Sequence, residues 1–208
     1  MAQSRLMLVE GTDDKHVVYN LSEKNRFYPE FEVSQEGGVP KLLKEFGIRL
    51  KVKEPGLERL GLLIDADDQL GTKWNSVKAI LIKAGFSSVP SEPDSNGTVI
   101  EPPNAFLPRV GIWLMPDNVR PGMLEDFLIE LVPPEDSLWK YTQTVVDGIP
   151  ATDRRFREQH LIKAYVHTWL AWQEQPGIPM GKAIGLGFFA STNPLVVRFL
   201  VWLTRLYG

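Results

Sequence analysis

The chain has 208 residues, of which 43% are hydrophobic and 24% charged, with a formal net charge of −3. That is the balance of an ordinary globular protein long enough to bury a real core. It contains no cysteine, which excludes structural disulfides and thiolate metal sites, and its three histidines are too few and too scattered for a zinc site.

Met1-Ala2-Gln3-Ser4-Arg5 leads into a strand-like run rather than a signal segment, and no apolar stretch reaches bilayer-spanning length. A cytoplasmic protein without membrane contact is expected. Leu6-Met7-Leu8-Val9-Glu10-Gly11 reads as a strand ending in a carboxylate, with glycine at once behind it. Thr12 or Asp13 then caps a helix through about Ser22, with acids in its first turn as the helix dipole prefers. Phe31 to Gln35 alternates and reads as a strand, Gly37-Gly38 as a turn, and Val39 to Phe46 as a helix with Pro40 near its start.

Arg59-Leu60-Gly61-Leu62-Leu63-Ile64-Asp65-Ala66-Asp67-Asp68 is the stretch around which the rest is organised. Its apolar run has the length and continuity of a strand buried on both faces of a parallel sheet. It stops at a carboxylate and delivers two more after one small residue. In open α/β sheets ligands bind just beyond the carboxyl ends of strands, and residues i and i+2 of a continued strand point the same way. Asp65 and Asp67 are therefore expected to aim at one point. Two such charges about 4 Å apart repel by roughly 4 kcal/mol at an effective dielectric near 20, which a hard divalent cation would offset.

Trp74 to Ala84 reads as a helix ended by Gly85, and the proline-rich residues 87–108 as irregular, with Thr98-Val99-Ile100 a short strand. Val110 to Met115 is a strand broken at Pro116-Asp117-Asn118, and Met123 to Leu131 a helix opening on Glu125-Asp126. Beyond Pro133-Pro134 helices are expected at Trp139–Val146, Phe156–Gln173 and Leu195–Tyr207, with a flexible glycine-rich segment from Gly177 to Phe189. The order of elements predicts an α/β fold: a mostly parallel sheet of about four strands flanked by helices over residues 1–132, with a helical C-terminal extension, 133–208, packed on it. Residues 1–150 carry 16 Lys and Arg against 23 Asp and Glu, whereas 151–208 carry 7 against 3. The mild basic excess of the second region suits an anionic partner.

Strand ends at Glu10, at Asp65 with Asp67, and at Asp117 put acids on one edge of the sheet. Asp14 lies one helical turn beyond Glu10, and Glu125 opens the helix after the fourth strand. Unpaired like charges gathered there would be costly. Val9-Glu10-Gly11-Thr12-Asp13-Asp14 followed by Leu63-Ile64-Asp65-Ala66-Asp67 resembles the TOPRIM signature, a glutamate after the first strand and Asp-x-Asp after the third. With Leu124-Glu125-Asp126 it is most similar to the TOPRIM domain of OLD-family nucleases and to small stand-alone TOPRIM-like bacterial proteins. The resemblance covers about residues 5–131.

It implies a magnesium-dependent enzyme acting on phosphodiesters, with manganese as a substitute, most plausibly a nuclease on DNA or RNA. Glu10 would be a general base or a metal ligand. Asp65 and Asp67 would hold metal, and Asp14 and Glu125 would complete a second metal position. Lys182 is a candidate transition-state cation, as are Lys163 and the Arg154, Arg155 and Arg157 cluster. The alternative is a catalytically silent module that binds nucleic acid and acts with a separate ATPase partner, since no ATPase is present here. Gly177-Ile178-Pro179-Met180-Gly181-Lys182-Ala183 is one residue short of a P-loop, lacks its Ser/Thr and follows no apolar strand. An Asp-x-Asp nucleotide-sugar transferase leaves Glu10 and Asp14 unexplained. A phosphatase with Asp65 as nucleophile lacks the threonine expected where Gln69 stands.

Overall fold

The computed structural model describes residues 4–27, 30–52 and 56–208; Met1 to Gln3, read above for a leader, lie outside them. Strands β1 (Arg5–Val9), β2 (Glu32–Gln35), β3 (Arg59–Asp65), β4 (Thr98–Ile100) and β5 (Arg109–Met115) form one sheet in the order β2-β1-β3-β5-β4. All neighbours run parallel except the edge pair β4–β5. The helices are α1 (Thr12–Lys24), α2 (Val39–Val52), α3 (Leu70–Ala84), α4 (Leu124–Ile129), α5 (Ser137–Asp147), α6 (Leu161–Ala171), α7 (Met180–Leu186) and α8 (Pro194–Tyr207). The class is α/β, as the order of elements predicts.

The continuous apolar runs of β3 and β5 sit centrally because each strand feeds two cores from alternate residues. Leu60, Leu62, Ile64, Val110, Ile112 and Leu114 pack against Leu42, Phe46, Trp74 and Leu81 of α2 and α3. Met7, Val9, Leu63, Trp113 and Met115 face the other way, into a core closed by α1, α4, α6, α7 and α8.

Helix α8 lies directly on the strands. A Cβ at Gly61 would stand 2.5 Å from the Tyr207 hydroxyl, and one at Gly111 2.5 Å from Leu206 Cδ2. The two glycines of β3 and β5 are thus the floor that lets α8 approach. The Tyr207 hydroxyl donates to the Leu6 carbonyl at 2.9 Å, tying the last helix to the first strand.

Several elements depart from the sequence reading. Helix α2 runs through Gly47 to Val52, past the expected end at Phe46, because Leu50 continues its buried face. Helix α3 starts at Leu70, a full turn earlier than Trp74. The helix expected from Phe156 begins as a short 3-10 turn, Glu158–His160, behind an extended Arg157. The glycine-rich stretch expected to be flexible contains α7. Gly181 meets the His16 backbone, where a Cβ would stand 2.7 Å from the His16 carbonyl carbon. Its glycine serves close helix packing. Among the described residues no helix is long and apolar enough to cross a membrane.

Candidate functional site

From β1 the chain winds through α1 outward to β2, then returns through α2 past β1 to β3, so the winding reverses between β1 and β3. At such a switch point the carboxyl ends of the two strands open a crevice. Glu10 immediately follows β1 and Asp65 is the last residue of β3, so the two acids flank that crevice.

The Glu10 carbonyl is fixed by the Gly37-Gly38 turn, whose amides donate to it at 2.9 and 3.2 Å. Both glycines have positive φ, +75° and +112°, which the tight wrap around the strand end requires. The Glu10 side chain is less provided for, because its Oε2 is buried without a hydrogen-bond partner. Burial pushes the Glu10 carboxyl up, and Asp67 adds to this while Lys73 and Lys163 pull it down.

Asp14, one turn into α1 and 8% exposed, accepts from the Gly11 amide at 2.9 Å and so caps its own helix. Burial raises its carboxyl to about 7 against the effect of that amide, with Glu10 and Glu125 contributing. Asp65 Oδ1 accepts from the Leu124 amide at the start of α4, at 3.0 Å. Burial, then Asp14, Glu10, Glu125 and Asp67, push it up to about 8. Glu125 is 4% exposed and pairs with Lys163 Nζ from α6 at 3.3 Å. Burial opposes the charge on Lys163, yet Glu125, Asp65 and Glu10 together raise it.

Asp67 reaches the same edge by a route that strand alternation does not give. Its φ is +51°, so the strand does not continue, and its backbone instead exchanges two 2.8 Å hydrogen bonds with Gly122. The side chain is 52% exposed and meets Lys73 Nζ at 2.6 Å. The paired aspartates are therefore one half-buried and one open, rather than two parallel side chains of one strand.

Glu10, Asp14, Asp65, Asp67 and Glu125 thus act on one another electrostatically at a single strand edge. Each of the last four is held by a partner of its own, and among the described residues no three Asp, Glu or His side chains stand ready-formed around one point. Asp117 is a turn former: it accepts from the Val119 and Arg120 amides and pairs with Arg120 at 3.0 Å. Asp126 caps α4 through the Met123 amide. Lys182 is exposed on α7, while Lys73 and Lys163 lower the Glu10 carboxyl and Lys163 pairs with Glu125.

Lys73 is not legible in the sequence, where the helix is expected to start one residue beyond it. In the fold it stands in the first turn of α3, where the helix dipole disfavours a cation and Asp67 offsets that. Trp169 is core, edge-on to Trp139, while Trp172 is 40% exposed.

A family model described as "Protein of unknown function (DUF3226)" matches residues 4–208. No curated protein matches the chain. Among solved structures, the C-terminal region of the Burkholderia pseudomallei OLD protein is similar over 100% of both chains, at 11% identity and a TM-score of 0.54. The C-terminal region of the Xanthomonas campestris pv. campestris OLD protein aligns over 99% of this chain and 96% of that one, at 16% identity and a TM-score of 0.45. The first likeness gives the fold: α/β, TOPRIM-like, with a helical C-terminal region.

Proposed function

The chain belongs to the DUF3226 family, and on the geometry of its crevice we propose that it is a divalent-metal-dependent nuclease, hydrolysing phosphodiesters of DNA or RNA. The observation that carries this reading is the Glu10 carboxyl, whose Oε2 is buried and unpartnered at the mouth of a switch-point crevice, where four further carboxylates act on it or are acted on by it electrostatically. The similarity of the Glu10 and Asp65-Ala66-Asp67 segments to TOPRIM nucleases supports it.

The donor set fits magnesium or manganese, since it consists of hard carboxylate oxygens with an excess of negative charge over Lys73 and Lys163. Asp65 and Asp67 would hold one cation with Glu10, and Asp14 and Glu125 a second. A bound cation would supply Lewis acidity toward phosphoryl oxygens and a more acidic water. Where Glu10 is not itself a ligand of that cation, its carboxylate would take the proton of the attacking water as the water oxygen bonds to phosphorus and an ester P–O bond breaks. Lys73 and Lys163, which act on the acids, would hold phosphoryl oxygens, and Lys182 remains a further candidate for that role.

The test is cleavage of plasmid DNA and of an RNA strand with magnesium or manganese. Glu10→Gln and Asp65→Asn are each expected to lower the rate by about a hundredfold or more, as loss of a group acting in the transition state does. Cleavage that survives both substitutions rejects the proposal.

A second reading is favoured by the way Asp14, Asp65, Asp67 and Glu125 are each engaged by a separate partner. In it the protein is a TOPRIM-like nucleic-acid-binding module whose site is completed only with a separate ATPase protein. Purified protein inert under every divalent cation, yet active once an ATPase is added, would select it.

A further inference from the structure

Helices α2 and α3 together carry seven Lys and Arg and a single acid, Glu45, in a chain whose formal charge is −3. Glu45 is taken by Arg49 at 2.7 Å, and Lys73 by Asp67. The other five, Lys41, Lys44, Lys51, Lys78 and Lys83, have no ion-pair partner among the described residues. Such a concentration of one sign on two adjacent helices is self-repelling unless an anion lies across it.

Both helices leave from the crevice edge, because α2 follows β2 and α3 follows β3. Between their first turns lies a hollow of about 380 Å³ that includes Asp67, Lys73, Thr72 and Leu43. Leu43 also lines a second hollow of about 450 Å³ further along, floored by Gly47, Ile48 and Ile80 and rimmed by Lys44, Lys51 and Lys83. The two hollows share Leu43, and the first of them includes Asp67 of the acidic site. Lys44 and Lys51 are two helical turns apart, about 10 Å along the rim.

We infer that the groove between α2 and α3 is the track along which a single strand of nucleic acid runs to the acidic crevice, with its phosphates on the lysine rim and its sugars and bases over the aliphatic floor. This rests on the nuclease reading and names the form of its substrate. A cleft between two packed helices, whose axes lie about 8–10 Å apart, is too narrow for a duplex. A positively charged groove that tracks the backbone is how single strands are bound without regard to sequence, and here the floor under it is aliphatic, with no aromatic ring for the bases to stack on. An acidic amphipathic helix of a protein partner would also match lysines around an aliphatic floor. What favours nucleic acid is continuity, for the cationic track ends at Lys73, bonded to a carboxylate of the site where a phosphodiester is to be cut.

The test measures binding of a fluorescent single-stranded oligonucleotide by anisotropy, in EDTA so that no cleavage intervenes. The variant Lys44→Glu/Lys51→Glu/Lys83→Glu is expected to bind at least about tenfold more weakly and to lose about 2 from the slope of log affinity against log salt, as three lost phosphate contacts require. A control with the same change of charge elsewhere, Lys24→Glu/Arg26→Glu/Lys140→Glu, should weaken binding by less than about threefold. Thermal melts establish that both variants are folded. Equal weakening by the two variants, or none by the first, overturns the track. So does a wild-type protein that ignores the oligonucleotide but binds an acidic amphipathic peptide. The nuclease reading is checked separately by manganese-dependent hydrolysis of bis(p-nitrophenyl) phosphate by the wild type. Groove-dependent binding without that hydrolysis upholds the track and rejects the chemistry, and hydrolysis with groove-independent binding does the reverse.

Discussion

Asp14 and Asp65 hold protons to about 7 and about 8, where an unfolded chain would have released them near the ordinary aspartate value of 3.8. Across that window the folded state binds more protons than the unfolded one, so stability falls as pH rises. The contribution is fully present below the unfolded value and lost once the pH has passed the folded one. Each retained proton gives a slope of about 1.4 kcal/mol per pH unit at most. Urea midpoints of the metal-free protein should therefore drop between pH 5 and pH 8, and Asp65→Asn should flatten the drop. On the proposed metal-dependent reading manganese should flatten it too, because a cation would compete with protons for the same oxygens. A variant whose midpoints decline as steeply as those of the wild type would sink this account. Of these residues, Glu10 and Asp65 were legible in the sequence because an acid that interrupts an apolar run marks a strand end. The bend at Asp67 and the ion pair to Lys73 were not, since a left-handed residue and a contact six positions away leave no periodic trace.

At the scale of elements, pattern reading succeeded where hydrophobic period and length agreed, as in β3 and β5, and failed where glycine had two meanings. Around α7 the sequence predicts flexibility, because Gly177, Gly181, Gly185 and Gly187 dominate the segment. Two of them sit where chain breaks belong, Gly177 and Gly187 both having positive φ. Gly181 does something else, since it admits the His16 backbone of α1, an element remote in sequence. Helix propensity alone would make Gly181→Ala stabilising by about 1 kcal/mol. The contact reverses the sign: an added Cβ stands 2.5 Å from His16 Cβ and 2.7 Å from its carbonyl carbon, neither of which is a flexible side-chain end. A loss of about 1–3 kcal/mol is expected in urea unfolding. A gain would mean that α7 does not dock on α1 in this way.

For the whole molecule, the last helix is seated on the two strands that lead to the site. Tyr207 is fully buried, stacked on Phe31 at 4.5 Å, and bonded through its hydroxyl to Leu6 of β1 while its oxygen fills the space over Gly61 of β3. One side chain near the end of the chain thus spans the two strands that lead to Glu10 and Asp65. Composition could place an amphipathic helix here, but only the fold shows that two strand glycines are its seat. Gly61→Ala should cost about 1–3 kcal/mol because the new Cβ collides with the Tyr207 oxygen. Tyr207→Phe should cost about 1 kcal/mol for the lost hydrogen bond. In the double variant the colliding atom is gone, and the next neighbours of the Cβ, Leu206 Cδ2 and Met7 Cε, stand at 3.3 and 3.4 Å. The two costs should then fail to add, with a coupling of at least about 1 kcal/mol in favour of the double variant. Simple additivity in urea unfolding would show that Tyr207 and Gly61 do not meet, and that α8 rests on the sheet in some other register.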